Sequence, residues 1–187
     1  MARYYRRRYT RTIVRAPKKK WCSNILDINL NTTGTTTTVT PPNYDSNYTT
    51  LVENKSETTS PTPVIIKTGN FKLQADLYFD GAASGSSVVA TLYIAYVPQG
   101  WSLTPTSSAA SLVANHPEWI MAWRVLESGY VDGNNSLVDS NRFTMSSRLK
   151  RNLNSGDSIA AIIIYDNLLN GAVGHIRGKC QFWTCAN

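Results

Sequence analysis

Between Phe71 and Phe79 the chain alternates strictly. Phe71, Leu73, Ala75, Leu77 and Phe79 are apolar, while Lys72, Gln74, Asp76, Tyr78 and Asp80 are polar. A period of two places one set on each face of an extended strand, so this segment belongs to a sheet with one buried and one wet face. No stretch of ten or more residues carries a helical period. Val88 to Val97 is mostly apolar and reads as a strand buried on both faces or at an interface. Further strands are expected around Ile25–Leu30, the threonine-rich 32–40, Thr49–Val52, Glu118–Leu126, Phe143–Leu149, Ile159–Tyr165 and Ala172–Trp183. Threonine is β-branched and helix-averse, which makes 32–40 a polar edge. Residues 43–63 otherwise read as surface loop, 101–117 as loop with one helical turn at Ser108–Ala114, and 129–135 as turns. Asn154-Ser155-Gly156-Asp157 is a turn with glycine at its usual place. About eight strands without any βαβ alternation predict an antiparallel sandwich or barrel.

The charge is divided sharply. The chain carries 19 basic and 12 acidic residues, a net of +7. Nine of the bases (Arg3, Arg6, Arg7, Arg8, Arg11, Arg15, Lys18, Lys19 and Lys20) lie in residues 1–20 with no acid among them. That leaves ten bases and twelve acids for residues 21–187, a net of −2. The chain thus divides into a basic arm, 1–21, and a nearly neutral body, 22–187. Tyr4, Tyr5 and Tyr9 interleave with the arginines, and Trp21 closes the lysine run. Arginine forks bind phosphate and aromatic faces stack on unpaired bases, so the arm is expected to bind nucleic acid. A nuclear-import signal or a solubilising tail would have the same composition. A second basic cluster, Arg142, Arg148, Lys150 and Arg151, either reaches phosphates on the arm's side or forms a solvated hairpin end.

Other functions find little support. The longest apolar run, 159–165, is too short to span a bilayer as a helix. The charged start lacks the apolar region of a signal peptide. A mitochondrial transit peptide fits the charge, but Pro17 would interrupt its helix. Three cysteines make no disulfide scaffold, and Cys180 and Cys185 would face opposite sides of one strand, so a reducing compartment is expected. His116, expected in a loop, and His175, in a strand, show no metal or triad spacing. Asp76 and Asp80 share a strand face about 13 Å apart, at about 3.3 Å per residue, which does not suggest a glycosidase pair. Residues 132–139 have calcium-type oxygens in the wrong order, so a plain turn is expected. The sequons beginning at Asn31, Asn47, Asn54 and Asn134 read as exposed loops. No enzyme, cofactor or metal is expected.

Several segments resemble capsid proteins of small circular single-stranded DNA viruses. They are the Arg/Tyr arm Met1–Arg15, Tyr93-Ile-Ala-Tyr-Val-Pro-Gln-Gly100, His116-Pro-Glu-Trp-Ile-Met-Ala-Trp-Arg124, 146–157 and 178–184. The resemblance is to the circovirus-like group whose shell domain is similar to that of satellite plant viruses, although the arm is shorter than in typical circoviruses. It implies a single eight-stranded jelly roll and a T=1 shell of sixty copies. It also implies an inward arm on a single-stranded DNA genome, or on host RNA in expressed particles. Nucleic-acid contacts are expected from Arg3, Tyr4, Tyr5, Arg6, Arg7, Arg8, Tyr9, Arg11, Arg15, Lys18, Lys19, Lys20, Trp21, Arg148, Lys150 and Arg151. A host nuclear-import receptor for the arm and a cell-surface receptor for the outer loops would be further partners, with no membrane insertion. Virion and host nucleus are the implied locations. The alternative is a cellular nucleic-acid-binding β-barrel with a basic tail.

Overall fold

The alternating segment around Phe71 forms the longest strand of two four-stranded antiparallel sheets. The structure, a computed structural model, describes residues 20–35, 44–56, 64–80, 88–103, 108–127, 141–166, 168 and 170–186. Eight strands are described: β1 (Cys22–Thr33), β2 (Tyr44–Glu53), β3 (Ile66–Asp80), β4 (Val89–Val97), β5 (Ile120–Glu127), β6 (Asn141–Leu153), β7 (Ser158–Asp166) and β8 (Val173–Ala186). One helix, α1 (Ser108–Asn115), and a 3₁₀ turn at Pro117–Trp119 lie between β4 and β5. One sheet has the order β1-β8-β3-β6 and the other β2-β7-β4-β5.

The sheets face each other across one apolar layer. Phe71, Leu73, Ala75, Leu77 and Phe79 of β3 meet Ile159, Ala161, Ile163 and Tyr165 of β7 in it, with Leu92, Ile94, Ile176 and Phe182. Each fully buried Leu or Ile side chain contributes about 1.5–3 kcal/mol of transfer free energy. Gly174 makes room for the largest of them, since a Cβ there would lie 2.6 Å from the Tyr165 ring.

A second apolar cluster covers the outer face of the β2-β7-β4-β5 sheet. Ala95, Val97, Ala160, Ile162 and Ile164 are buried there beneath Leu103 and Leu112. Strands β4 and β7 are therefore apolar on both faces, as the unbroken runs in their sequences require.

Four expectations need correction. The short strand expected at Thr49–Val52 is longer, because β2 runs for ten residues and pairs with β7 from Tyr44↔Asp166 to Glu53↔Ser158. As an edge strand it needs few apolar residues, so its polar sequence hid the rest. Glu118 and Trp119 are not in a strand. Pro117 opens a 3₁₀ turn, for which its fixed φ and missing N–H suit it, and β5 starts at Ile120. The sequons are not all in exposed loops: Asn31 lies in β1, Asn47 in β2, and Asn54 is only 1% exposed. Asn54 donates from Nδ2 to Val64 O at 2.7 Å and Leu153 O at 2.8 Å, a structural use of a buried amide. Finally, the alternation of Trp119, Met121 and Trp123 with Ile120 and Ala122 predicts one aromatic strand face, and these three do not share one. A bulge opposite Ile94/Ala95 sends Met121 into the core and leaves Trp123 63% exposed.

Residues 1–19 of the arm, the loop 81–87, the turns 129–135, the calcium-like stretch 132–139 and the sequon at Asn134 lie outside the described residues. The 154–157 turn is present, with Gly156 at φ +82°.

Candidate nucleic-acid interface

The outer face of the β1-β8-β3-β6 sheet has no counterpart to the cover on the other sheet among the described residues. The polar set of β3, from Lys72 to Asp80, points out here. Register places Gln181, Lys179, Arg177 and His175 of β8 beside it, with Ser146, Thr144 and Arg142 of β6 on its other side. Beyond β8, β1 adds Ile25, Asp27, Asn29 and Asn31.

The acids on this face are each matched. Lys179 Nζ lies 2.7 Å from Asp27, and Arg142 Nε lies 3.1 Å from Asp76. His175 Nε2 lies 2.9 Å from Asp80, an ion-pair distance without hydrogen-bond alignment, while its Nδ1 meets Asn31 Oδ1 at 2.8 Å. Among the described residues no carboxylate pairs with Lys72, Arg148, Lys150 or Arg177, all of them exposed. These exposed pairs are individually weak, so the effect of their arrangement is on the sign of the local field.

The end of the arm meets this face at one corner. Trp21 is 37% exposed, and Lys150 Nζ stands 5.3 Å from its ring centroid. Lys150 pairs with Gly69, which pairs in turn with Trp183, and that pairs with Ser23. A Cβ on Gly69 would fall 2.7 Å from Lys150 Cγ, so the missing side chain lets the lysine stem cross β3. Two of the expected site residues, Trp21 and Lys150, are thus brought together from opposite ends of the chain.

The other expected residues separate. Arg148 is exposed in β6 beside the bulge between Gly69 and Phe71. Arg151 turns toward the second sheet, where its guanidinium carbon sits 5.7 Å from the Tyr96 ring centroid and Nη2 donates to Glu118 O at 2.6 Å. Lys20 is exposed, and Arg3 through Lys19 lie outside the described residues. Lys72 and Arg177 were missed. Each is isolated in sequence, and only the pairing of β3 with β8 brings them onto one surface. The parity of Lys72 within the alternating strand was the available signal.

Aromatic groups accompany the charge. Tyr78 stacks on His175 with centroids 4.6 Å apart and planes 11° apart, and Arg177 Cζ lies 5.3 Å from the Tyr78 ring. A cleft of about 310 Å³ lined by Gln74, Asp76, Arg142 and Thr144 opens between β3 and β6. On the opposite side, His116 lies in the loop before the 3₁₀ turn and stacks on Trp119 at 3.8 Å. Its Nδ1 is 3.1 Å from Glu118, and a backbone hydrogen bond and then this histidine hold the Glu118 carboxyl below its ordinary range. Among the described residues no group of three His, Cys, Asp or Glu side chains gathers to hold a metal, and no helix is long and apolar enough to cross a membrane.

No protein-family model matches the chain, and no curated protein matches it significantly.

Proposed function

We propose that this chain is a viral coat protein that self-assembles into a small icosahedral T=1 shell of sixty copies. It packages circular single-stranded DNA through its basic N-terminal arm. The observation that carries this reading is the strand order. Sheets ordered β1-β8-β3-β6 and β2-β7-β4-β5 interleave the first and second halves of the chain as a single jelly roll does. Eight strands in two open sheets do not suit the five-stranded barrel of an OB-fold, which disfavours the cellular nucleic-acid-binding alternative. The nine bases of residues 1–20 precede a body with net −2, so polyanion binding is concentrated where the sandwich is not.

The deciding experiment is sizing of the purified full chain before and after nuclease, with a micrograph of the leading fraction. Megadalton particles whose absorbance at 260 nm exceeds that at 280 nm are expected. A nucleic-acid-free monomer would overturn the reading. A second arm of the test removes residues 2–20, which should abolish nucleic-acid content. Unchanged content would exonerate the arm.

A further inference from the structure

We propose that the outer face of the β1-β8-β3-β6 sheet is a second binding surface for single-stranded nucleic acid, continuous with the arm. Lys72 and Arg177 are the residues the sequence did not reveal. The inference rests on the arm reading above and extends it from a tail to a track on the folded body.

Three observations carry it. First, among the described residues this face carries six bases (Lys72, Arg142, Arg148, Lys150, Arg177 and Lys179) against three acids (Asp27, Asp76 and Asp80), and no carboxylate pairs with Lys72, Arg148, Lys150 or Arg177, which leaves a positive field. Second, these bases form a path. Lys150 lies in the register row of Gly69, Lys72 in the next outward row on β3, and Arg177 in the row of Asp76 on β8. Along β3 the path covers three residues from Gly69 to Lys72, across the bulge, and four from Lys72 to Asp76, about 10 and 13 Å at about 3.3 Å per residue, with the row of Gln74 and Lys179 between the last two. Third, the path starts at Trp21, where the nine-base arm joins the body, and ends at Tyr78 with Arg177 against its ring. Phosphates would follow the bases while an unpaired nucleobase stacks on the exposed Trp21 indole at the start of the path. A strand held by the arm needs no further search to reach this face, because the tether keeps its local concentration high.

The test uses the full chain and a fluorescent oligothymidine, with binding measured across a salt series. Each single-strand phosphate contact adds about 0.7 to the log–log salt slope, so Lys72→Gln with Arg177→Gln should make the slope shallower by about 1.4. The charge-keeping pair Lys72→Arg with Arg177→Lys should retain the wild-type slope, and Lys55→Gln, on the other sheet's edge, should change nothing. Neutralising Arg6, Arg7 and Arg8 tests the arm separately, with an expected loss of about 2. An unchanged slope in the Lys72/Arg177 double variant overturns the sheet surface while leaving the arm reading intact. A shallower slope in that variant, with none in the arm variant, supports the surface and removes the arm. Absence of oligothymidine binding by the wild-type chain overturns both.

Discussion

Lys150 of β6 holds its Nζ 5.3 Å from the centre of the Trp21 ring, and so ties the root of the arm to the strand farthest from β1 in the same sheet. A cation over an exposed indole contributes about 0.5–1 kcal/mol, enough to bias where the arm leaves the body but not to hold the fold. Lys150→Met should leave the urea midpoint almost unchanged and make tryptic cleavage after Lys18–Lys20 faster. Wild-type cleavage rates in the variant would show that the pair does not anchor the arm.

Gly178 gives a sharper expectation. A Cβ there would run into the Gln74 carbonyl oxygen and the Cα and Cβ of Ala75, which are backbone or short and cannot swing aside. Small-to-large changes in tight packing cost about 1–3 kcal/mol or more. Gly178→Ala should lower the unfolding free energy by at least that much, seen as a lower urea midpoint, or prevent soluble expression. Gly171→Ala meets nothing within 4 Å and only strains a residue at φ +86°, so a loss of about 1 kcal/mol is expected. Equal losses in the two variants would disprove the close approach of β8 to β3.

Much of this architecture was legible in the sequence, and the exceptions have physical causes. The β3 alternation announced its face because one side is core and the other water. Strands β4 and β7 announced themselves by unbroken apolar runs, which make sense only with cover on both sides. β2 was visible only at Thr49–Val52, since it is an edge strand whose stability comes from its ladder with β7 rather than from its own apolar content. The Pro117 turn displaced the start of β5, and the bulge at Met121 then broke the parity on which an aromatic stripe depended. On the candidate surface, the local clusters of bases were visible as strings of letters. Lys72 and Arg177 were not, because register between distant strands, unlike composition, cannot be read from either segment alone.

Alkaline titration gives a prediction about the contact between β4 and the turn before β7. Burial, then a hydrogen bond to Asp157, pushes the Tyr96 hydroxyl up to about 12 from its ordinary value of 10.0. The neutral phenol is thus favoured in the folded chain, and its contribution is complete below pH 10 and lost as pH rises through 12. Urea midpoints should fall over that window. Tyr96→Phe should be less stable at neutral pH by about 1 kcal/mol, the worth of a net hydrogen bond, and should fall less steeply above pH 10. Parallel curves for the two proteins would exclude the Tyr96–Asp157 contact as the cause. Cys180, pushed up to about 12 by burial, and the buried Tyr165 hydroxyl, also pushed up, contribute to the alkaline loss that both proteins share.

Trp119, just before β5, and Trp123, within it, should behave in opposite ways. Trp119 is half-buried, with Trp101 at 5.5 Å, Tyr96 at 6.3 Å and His116 stacked on it, so its ring is part of the cover over the outer face of the second sheet. Trp123 is 63% exposed and Val125 47% exposed on β5, the edge strand of that sheet. Large apolar side chains left on an edge strand favour association with another chain. Trp119→Ser should therefore lower subunit stability by about 3 kcal/mol or more, as for a large-to-small change at a packed aromatic. Trp123→Ser should leave the unfolding free energy within about 0.5 kcal/mol of wild type, the usual range for a surface change, while reducing the yield of assembled particles. The paired measurement separates folding from association: chemical denaturation of the subunit for the first, light scattering at fixed concentration for the second. Wild-type particle yield with Trp123→Ser would remove β5 from the assembly contacts, and an unaltered midpoint with Trp119→Ser would remove its ring from the cover.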